Sequence, residues 1–279
     1  MKAQTVIPCR CGCALFGALA VACTSTISVA QETKPEPATS SQPSADLPEA
    51  STIIARYIEA IGGKDALLKT VSRHITGTFS VPDQGMEGSL EMFRSIPNKL
   101  FIRINIAGMG EITQGFDGKV GFTNDPMQGA SLLAGYRLSQ IRETADFYTE
   151  LHRAEKFTSM KTVELTDFQG KPCYKVRLLS KAGRRYAEFF DQQTGLLAGN
   201  VGEQDIAGRA VEQITVYSDY KKFGDLLLAT RTVVRVMSRE QVMTYESIEF
   251  NTVDDTVYEL PEEVKALVKP KPSTPPDGN

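Results

Sequence analysis

The stretch Pro97–Pro126, PNKLFIRINIAGMGEITQGFDGKVGFTNDP, decides the fold of this chain. Its first part alternates in period two, with Leu100, Ile102, Ile104 and Ile106 on one face. That alternation predicts a half-buried β-strand. A Gly-rich turn, a second strand, an Asp-Gly hairpin turn and a third short strand follow. The stretch therefore predicts a meander with one apolar face, which another element must cover.

Helices and strands are also predicted on the amino-terminal side of this stretch. Apolar residues keep helical spacing from Ser51 until the glycine pair at Gly62, which ends the helix because glycine adopts left-handed backbone at no steric cost. A second short helix is predicted over Lys64–Thr70. Two strands, Arg73–Val81 and Met86–Phe93, then lead into the central stretch.

The carboxyl-terminal side begins with Asp125–Ala134, which predicts an apolar loop or a short helix. Apolar residues at three- and four-residue steps then predict a helix over Tyr136–Leu151. Nearly all of Lys161–Asn251 predicts strands, because turn signals recur every 10 to 14 residues, as in an antiparallel meander. Pro261 precedes a last short helix, Glu262–Val268.

The predicted order is helix, five strands, helix, six strands, helix. Strands that are neighbours in sequence pair as antiparallel hairpins, and about eleven of them in one sheet curl through their right-handed twist. Three helices are too few to cover both faces of such a sheet. The prediction is therefore a mostly β (α+β) domain over residues 51–268, an antiparallel half-open barrel whose helices plug the concave face.

Composition excludes several classes of function. The 279 residues carry a net charge of -3 and no cluster of Lys and Arg, which argues against nucleic-acid binding. Because only one cysteine, Cys173, lies in the predicted domain, that domain has no internal disulfide. Cys9, Cys11 and Cys13 lack a nearby fourth ligand, so they predict no metal site. We expect neither a metal nor a cofactor.

The first 30 residues predict an export signal. Lys2 and Arg10 precede the apolar run ALFGALAVA at residues 14–22, which is too short to span a bilayer. Two processing sites remain open. Ser28-Val29-Ala30 suits ordinary signal peptidase, whereas the residues before Cys23 resemble a bacterial lipoprotein signal, with Cys23 as the lipidated first residue.

Two segments outside the domain predict disorder. Residues 31–50 and 269–279 are rich in Pro, Ser, Thr and charge, so they bury too little apolar surface to order themselves. The first predicts a linker between the signal and the domain, and the second predicts a tail.

Five stretches of the domain contain distinctive turns and helix stops. They are YIEAIGGKDALLK (57–69), GTFSVPDQGMEGSLE (77–91), GFDGKVGFTNDPMQG (115–129), FFDQQTGLL (189–197) and VYELPEEVKAL (257–267). Together they resemble a family of exported bacterial proteins described as outer-membrane lipoprotein-sorting-like, whose fold is that of LolA and LolB, and the likeness covers most of Ser51–Val268. The resemblance implies an unclosed antiparallel barrel whose helices form a lid over a hydrophobic cavity that accommodates acyl chains.

The predicted function is that of a binding protein with no enzymatic activity. It is expected to be periplasmic, or lipid-anchored at the outer membrane, to be monomeric, and to hold a lipid or a lipoprotein acyl chain. One continuous apolar surface is expected to line the cavity. Its predicted residues are Leu100, Ile102, Ile104, Ile106, Ile112, Phe116, Phe122, Met127, Leu132 and Leu133.

Two other functions remain open. The same apolar residues suit a dry core, in which case the domain is an interaction or scaffold module of the cell envelope. A hydrolase would need a nucleophile with its base, and Cys173, His74 and Asp117 are the residue types on offer. No nucleophile-elbow sequence accompanies them, so we predict no catalytic residues.

Overall fold

The framework of the protein is one antiparallel sheet of thirteen strands. It is seen in a computed structural model that describes residues 47–206 and 209–268. In chain order the strands are β1 (Ser72–Val81), β2 (Met86–Ser95), β3 (Lys99–Ile106), β4 (Gly110–Phe116), β5 (Gly121–Asp125), β6 (Gly129–Leu132), β7 (Phe157–Phe168), β8 (Lys171–Ser180), β9 (Arg185–Asp191), β10 (Leu197–Ile206), β11 (Arg209–Phe223), β12 (Leu226–Val236) and β13 (Arg239–Phe250).

Five α-helices accompany the sheet in the described ranges, and none of them is long and apolar enough to cross a membrane. Two short 3-10 helices, Pro82–Gln84 and Asp255–Tyr258, lie in connections. The α-helices are α1 (Ala50–Ala60), α2 (Gly63–Leu68), α3 (Gly135–Ala145), α4 (Arg153–Lys156) and α5 (Glu262–Val268).

The sheet consists of two meanders that meet at one strand pair. Strands β1 to β6 follow one another on one side, β13 back to β7 follow on the other, and β1 pairs with β13 in the middle. The two edges, β6 and β7, do not pair with each other, so the sheet stays open. The predicted antiparallel half-open barrel is confirmed.

The segment that links the two edge strands crosses the concave face. We call residues 133–156, which include α3 and α4, the strap. Ile141 and Ala145 of α3 are buried in the apolar cluster formed by the inward faces of β1–β4, β12 and β13. Helices α1 and α2 pack on the other half of the sheet, against Val176, Phe190 and Leu226. The prediction that helices cover the concave face holds for these elements.

The carboxyl-terminal helix lies on the opposite face. Tyr258 and Val264 pack against Phe93, Phe101 and Phe122, which form an aromatic row on β2, β3 and β5. Leu100 and Phe101 are neighbours on β3 and are both buried, one on each face. This part of the sheet is therefore covered on both sides, and the prediction that the last helix plugs the concave face is wrong.

Two further local predictions differ from the structure. The segment predicted as a loop or short helix contains β6, because Asp125 accepts hydrogen bonds from the backbone of Met127 and Gln128 and turns the chain back on β5. The helix predicted over Tyr136–Leu151 stops at Ala145. Phe147, immediately beyond it, donates its backbone N–H to the Pro97 carbonyl and buries its ring.

The predictions for residues 1–46 and 269–279 lie outside the described residues. They comprise the export signal, the lipidation of Cys23, most of the linker and the tail. At the start of the domain, α1 covers Ala50–Ala60, within one residue of the predicted start, and α2 begins at Gly63.

Candidate functional site

Two adjoining cavities lie between the strap and the concave face. The first, about 360 Å³, is lined by Leu100, Ile102, Ile141, Val234 and Met243 and also by polar side chains that include Gln114, Gln140 and Arg137, and we call it the apolar cavity. The second, about 420 Å³, is lined by charged residues and tyrosines as well as apolar residues, and we call it the arginine cavity. Their shared walls are Met92, Arg94, Thr144, Tyr217, Thr232 and Tyr245.

A third space, about 490 Å³, opens beside the arginine cavity and is called the side cleft. It is lined by residues of the strap, including Lys156, and by residues of β8–β10, including Asn200. Thr144 lines all three spaces. The concave face therefore holds a connected set of openings beneath α3, each within the size range of small-molecule sites.

The arginine cavity owes its character to two arginines on adjacent strands. Arg73 of β1 and Arg94 of β2 are direct cross-strand partners, and both project to the concave face. Arg73 is only 7% exposed, and its guanidinium lies 5.1 Å from the centre of the Phe147 ring. Burial lowers the pKa of Arg73, an effect that the nearby Glu150 carboxylate opposes.

A buried ion pair forms the opposite wall of this cavity. Arg153 of α4 donates to the Glu188 carboxylate of β9 at 2.5 Å, and both side chains are nearly buried. Burial alone would lower the pKa of Arg153, but the charge and hydrogen bond of Glu188 raise it overall. Burial also raises the pKa of the Tyr57 and Tyr217 hydroxyls, so these phenols stay protonated as neutral polar groups.

Polar contacts hold the strap over these cavities. Nη2 of Arg94 donates to the carbonyls of Thr144 and Asp146 at 2.7 and 3.0 Å. The Asp146 carboxylate in turn contacts Lys156 Nζ at 2.6 Å and His152 Nδ1 at 2.8 Å, which ties the end of α3 to α4. Burial by itself raises the pKa of Asp146, yet Lys156 and His152 outweigh it and hold that pKa below its usual value.

The Asp146 carboxylate predicts a pH-dependent contribution to stability. Because its pKa is lowered in the folded protein, it stabilises the fold above the unfolded value of about 4, and this stabilisation is lost as the pH falls through the folded pKa. Asp146→Asn should lower the free energy of unfolding by about 1–2 kcal/mol at pH 7. The difference in this free energy between the variant and the wild type should become smaller below pH 4. Urea denaturation at several pH values measures both quantities.

The control for this prediction is Asp83→Asn, at an exposed residue in the connection between β1 and β2. The free energy of unfolding of Asp83→Asn should stay within about 0.5 kcal/mol of the wild-type value at every pH, as is usual for surface substitutions. If the difference in unfolding free energy between Asp146→Asn and the wild type stays constant from pH 7 to pH 3, the carboxylate charge does not stabilise the strap.

The predicted lining residues separate into three groups in the structure. Leu100 and Ile102 line the apolar cavity. Both also belong to the packed cluster on the concave face, together with five predicted residues that do not line this cavity, namely Ile104, Ile106, Ile112, Phe116 and Leu133. The remaining three, Phe122, Met127 and Leu132, are elsewhere, so the predicted single apolar surface is wrong for them.

Each of the three misplaced residues has a physical reason. Phe122 pairs with Gly115, and its ring covers this glycine on the convex face, where a Cβ would lie only 2.7 Å from the ring. Leu132 pairs with Phe122 and shares its face, with 40% of its surface exposed. Met127 lies at the tip of the β5–β6 hairpin and is 72% exposed.

Sequence reasoning missed Arg73 and Arg94 as parts of the site. Arg73 lies two residues from the inward-facing Ile75, and Arg94 lies two residues from the inward-facing Met92. Met92 lines both cavities, as Arg94 does. Extending the period-two alternation by one step places each arginine on the concave face. This extension of the alternation was the sequence signal that could have identified both arginines as inward-facing residues.

The residue types considered for a hydrolase do not come together. Cys173 is fully buried on β8, where burial and the Asp191 charge raise the pKa of its thiol to about 11. His74 lies on β1, which is six strands away from β8 in the order of the sheet, and its imidazole forms a hydrogen bond with Glu91. Asp117 accepts backbone hydrogen bonds within its own turn. Among residues 47–206 and 209–268, no three His, Cys, Asp or Glu side chains form a metal-binding group.

An open antiparallel half-barrel with a helical strap over a concave cavity defines the class to which this structure belongs. No protein-family model matches the chain, and no curated protein matches it by sequence. Solved structures do match. A LolA-superfamily protein from Nitrosomonas europaea is 11% identical with a TM-score of 0.53, over 77% of this chain and 99% of its own.

A DUF1329-family protein from Desulfovibrio piger matches equally well. It is 11% identical with a TM-score of 0.53, over 75% of this chain and 97% of its own. The two matches show that the chain has a LolA-like fold, and the resemblance predicted from the sequence is confirmed at the level of fold.

Proposed function

We propose that this protein is an exported binding protein of the cell envelope that holds a lipid, or the acyl chain of a lipoprotein, beneath its strap. Its role is non-enzymatic and belongs to lipid or lipoprotein transport. The observation that carries the proposal is the pair of adjoining cavities, about 360 and 420 Å³, between the strap and the concave face. Cavities of this size that combine apolar walls with a few polar groups are typical ligand sites.

Burial of an acyl chain supplies the binding energy in this proposal. Each methylene transferred from water into the apolar cavity contributes about 0.8 kcal/mol, so about ten methylenes contribute about 8 kcal/mol toward the cost of association. Met92 and Met243 line that cavity, and their unbranched side chains adapt to ligands of different shape. Entry requires the strap to move, which breaks the few hydrogen bonds that hold it.

Uptake of a fluorescent fatty acid tests this function directly. We expect saturable binding of one probe per protein, with the emission shift of an apolar environment, and competition by unlabelled fatty acid. An absence of saturable binding by the folded, monomeric protein would contradict the proposal. Purification without detergent is needed because detergent occupies the same kind of cavity.

The cellular location is part of the proposal and has a separate test. The export signal implies a periplasmic protein beginning at Gln31, or an outer-membrane lipoprotein beginning at Cys23. The intact mass of the mature protein distinguishes them, because only the second carries an acylated cysteine. A mass that retains residues 1–22 would contradict export.

A second function is favoured by the packed cluster on the concave face. Seven of the ten predicted lining residues lie in this cluster, and only Leu100 and Ile102 of these also line a cavity, so much of the concave face is ordinary core. A domain of this kind would serve the envelope as an interaction or scaffold module. It predicts a crosslinked protein partner and no bound lipid.

A further inference from the structure

Arg73 is a buried cation with hydrogen-bonding capacity left over. Its Nε and Nη2 atoms are buried and have no hydrogen-bond partner among the residues that the structure describes. Its side chain lines the arginine cavity and is only 7% exposed. Leaving charged donors unsatisfied in the interior costs several kcal/mol, so such groups normally mark a site that another molecule completes.

The neighbour of Arg73 makes this cost larger. Arg94 is its direct cross-strand partner, and like charges in that position repel each other. Nη2 of Arg94 donates a hydrogen bond to the Thr144 carbonyl of the strap, while its buried Nε has no partner in the described part of the chain. Arg73 and Arg94 are therefore neighbours on adjacent strands, each with an unpaired buried donor, and Arg94 lies at the wall between the two cavities.

An apolar space begins at this pair of arginines. Arg94 lines both cavities. The apolar cavity beyond it is lined by Leu100, Ile102 and Met243, by polar side chains that include Arg137 and several glutamines, and by no carboxylate side chain. A ligand that fits both features has a hydrocarbon chain and one compact anionic end. Oxyanions suit the guanidinium group because it presents parallel N–H donors.

We propose that the cavities bind a single-chain amphiphile with an anionic head, and that Arg73 and Arg94 contact this carboxylate or phosphate while the chain occupies the apolar cavity. This inference rests on the proposed function and deepens it by naming the ligand class. Carboxylate and phosphate share the chemistry that the arginines recognise, so the experiment below separates them.

Other charges face the same cavity and set the expected strength of this recognition. Arg153 and Glu188 neutralise each other as an ion pair. Glu150 is the remaining carboxylate near Arg73 and competes with a bound anion. Glu143 also lines the cavity but pairs with Arg184. Removing the Glu150 charge should therefore strengthen anion binding.

Displacement of the neutral dye N-phenyl-1-naphthylamine by three twelve-carbon competitors tests the inference. The competitors are dodecanoate, dodecyl phosphate and dodecanol, which differ only in the head group. We expect at least one anion to displace the dye at a concentration about tenfold or more below that of the alcohol, since hydrogen bonds to charged groups are worth this much. The stronger of the two anions identifies the head group.

Two variants and a control assign the preference to the arginine pair. Arg73→Met keeps the length of the side chain and should reduce the preference for the anion to less than about threefold. Glu150→Gln should increase the preference for the anion. This variant tests the inference even where Arg73→Met fails to fold. Arg103→Met is the control, because Arg103 lies on β3 in contact with Glu91 and Glu111 and lines neither cavity.

The possible failures are distinguishable. Equal displacement by the anions and the alcohol, or an unchanged preference in the folded Arg73→Met variant, overturns the anionic ligand while leaving lipid binding intact. Absence of dye and competitor binding altogether overturns the proposed function and this inference together. A purely structural role of Arg73 predicts lower stability of Arg73→Met with the preference unchanged, whereas we expect stability to stay equal or rise.

Discussion

Thr144→Trp is expected to abolish most of the lipid-binding capacity of this protein without unfolding it. Thr144 is an exposed residue of α3 that lines both cavities and the side cleft, so we expect an indole at this position to fill their junction. If it displaces about four methylenes of a bound chain, the loss is about 3 kcal/mol at 0.8 kcal/mol each. The Kd for a fluorescent fatty acid should rise more than a hundredfold.

The control for this variant uses the same helix and the same new residue. Arg142 is an exposed residue of α3 that lines none of the three spaces. Arg142→Trp should bind the probe within about threefold of the wild type. Equal affinity of Thr144→Trp and Arg142→Trp would mean that the probe binds somewhere other than beneath the strap, and thermal denaturation of both variants verifies that they are folded.

Gly77→Ala is expected to destabilise the protein severely, although it adds a single methyl group. Gly77 lies at an irregularity in the β1–β13 pair, the pair that joins the two meanders. A Cβ at this position would lie 1.9 Å from the carbonyl oxygen of Thr244, so one of the two strands must shift. We expect the free energy of unfolding to fall by roughly 3 kcal/mol or more, measured by urea denaturation.

The comparison for Gly77→Ala is Thr78→Ala, one residue further along β1. Thr78 is exposed, so its truncation should cost less than about 1 kcal/mol, the span of β-propensity in strands. A Gly77→Ala variant as stable as Thr78→Ala would show that the junction of the two meanders tolerates a different strand register.

Much of the fold was predictable because a period-two alternation sets the face of every residue in a strand. The alternation from Leu100 to Ile106 correctly placed four residues on the concave face, and the turn signals separated the strands. The prediction for Phe122 failed because the pairing of its strand was not known: Phe122 pairs with Gly115, whereas Gly121 pairs with the inward-facing Phe116. Gly115 has no side chain, so the Phe122 ring covers it on the convex face.

The cavities were harder to predict because they depend on long-range packing. Whether an inward residue meets the strap or a void depends on where α3 lies over the sheet. Ile102 and Ile104 illustrate this, because both face inward on the same strand and belong to the packed cluster, yet only Ile102 lines the apolar cavity. Arg94 shows the converse, since its inward face was predictable but its hydrogen bonds to the strap were not.

Native mass spectrometry of protein purified without detergent from the organism that makes it tests lipid binding most directly. We expect a 1:1 adduct that dissociates on collisional activation and has the mass of an acyl-chain lipid, and we expect Thr144→Trp to lack this adduct. A spectrum of only the bare mature protein, from a preparation that also fails to take up a fluorescent fatty acid, would contradict the claim that these cavities hold lipid.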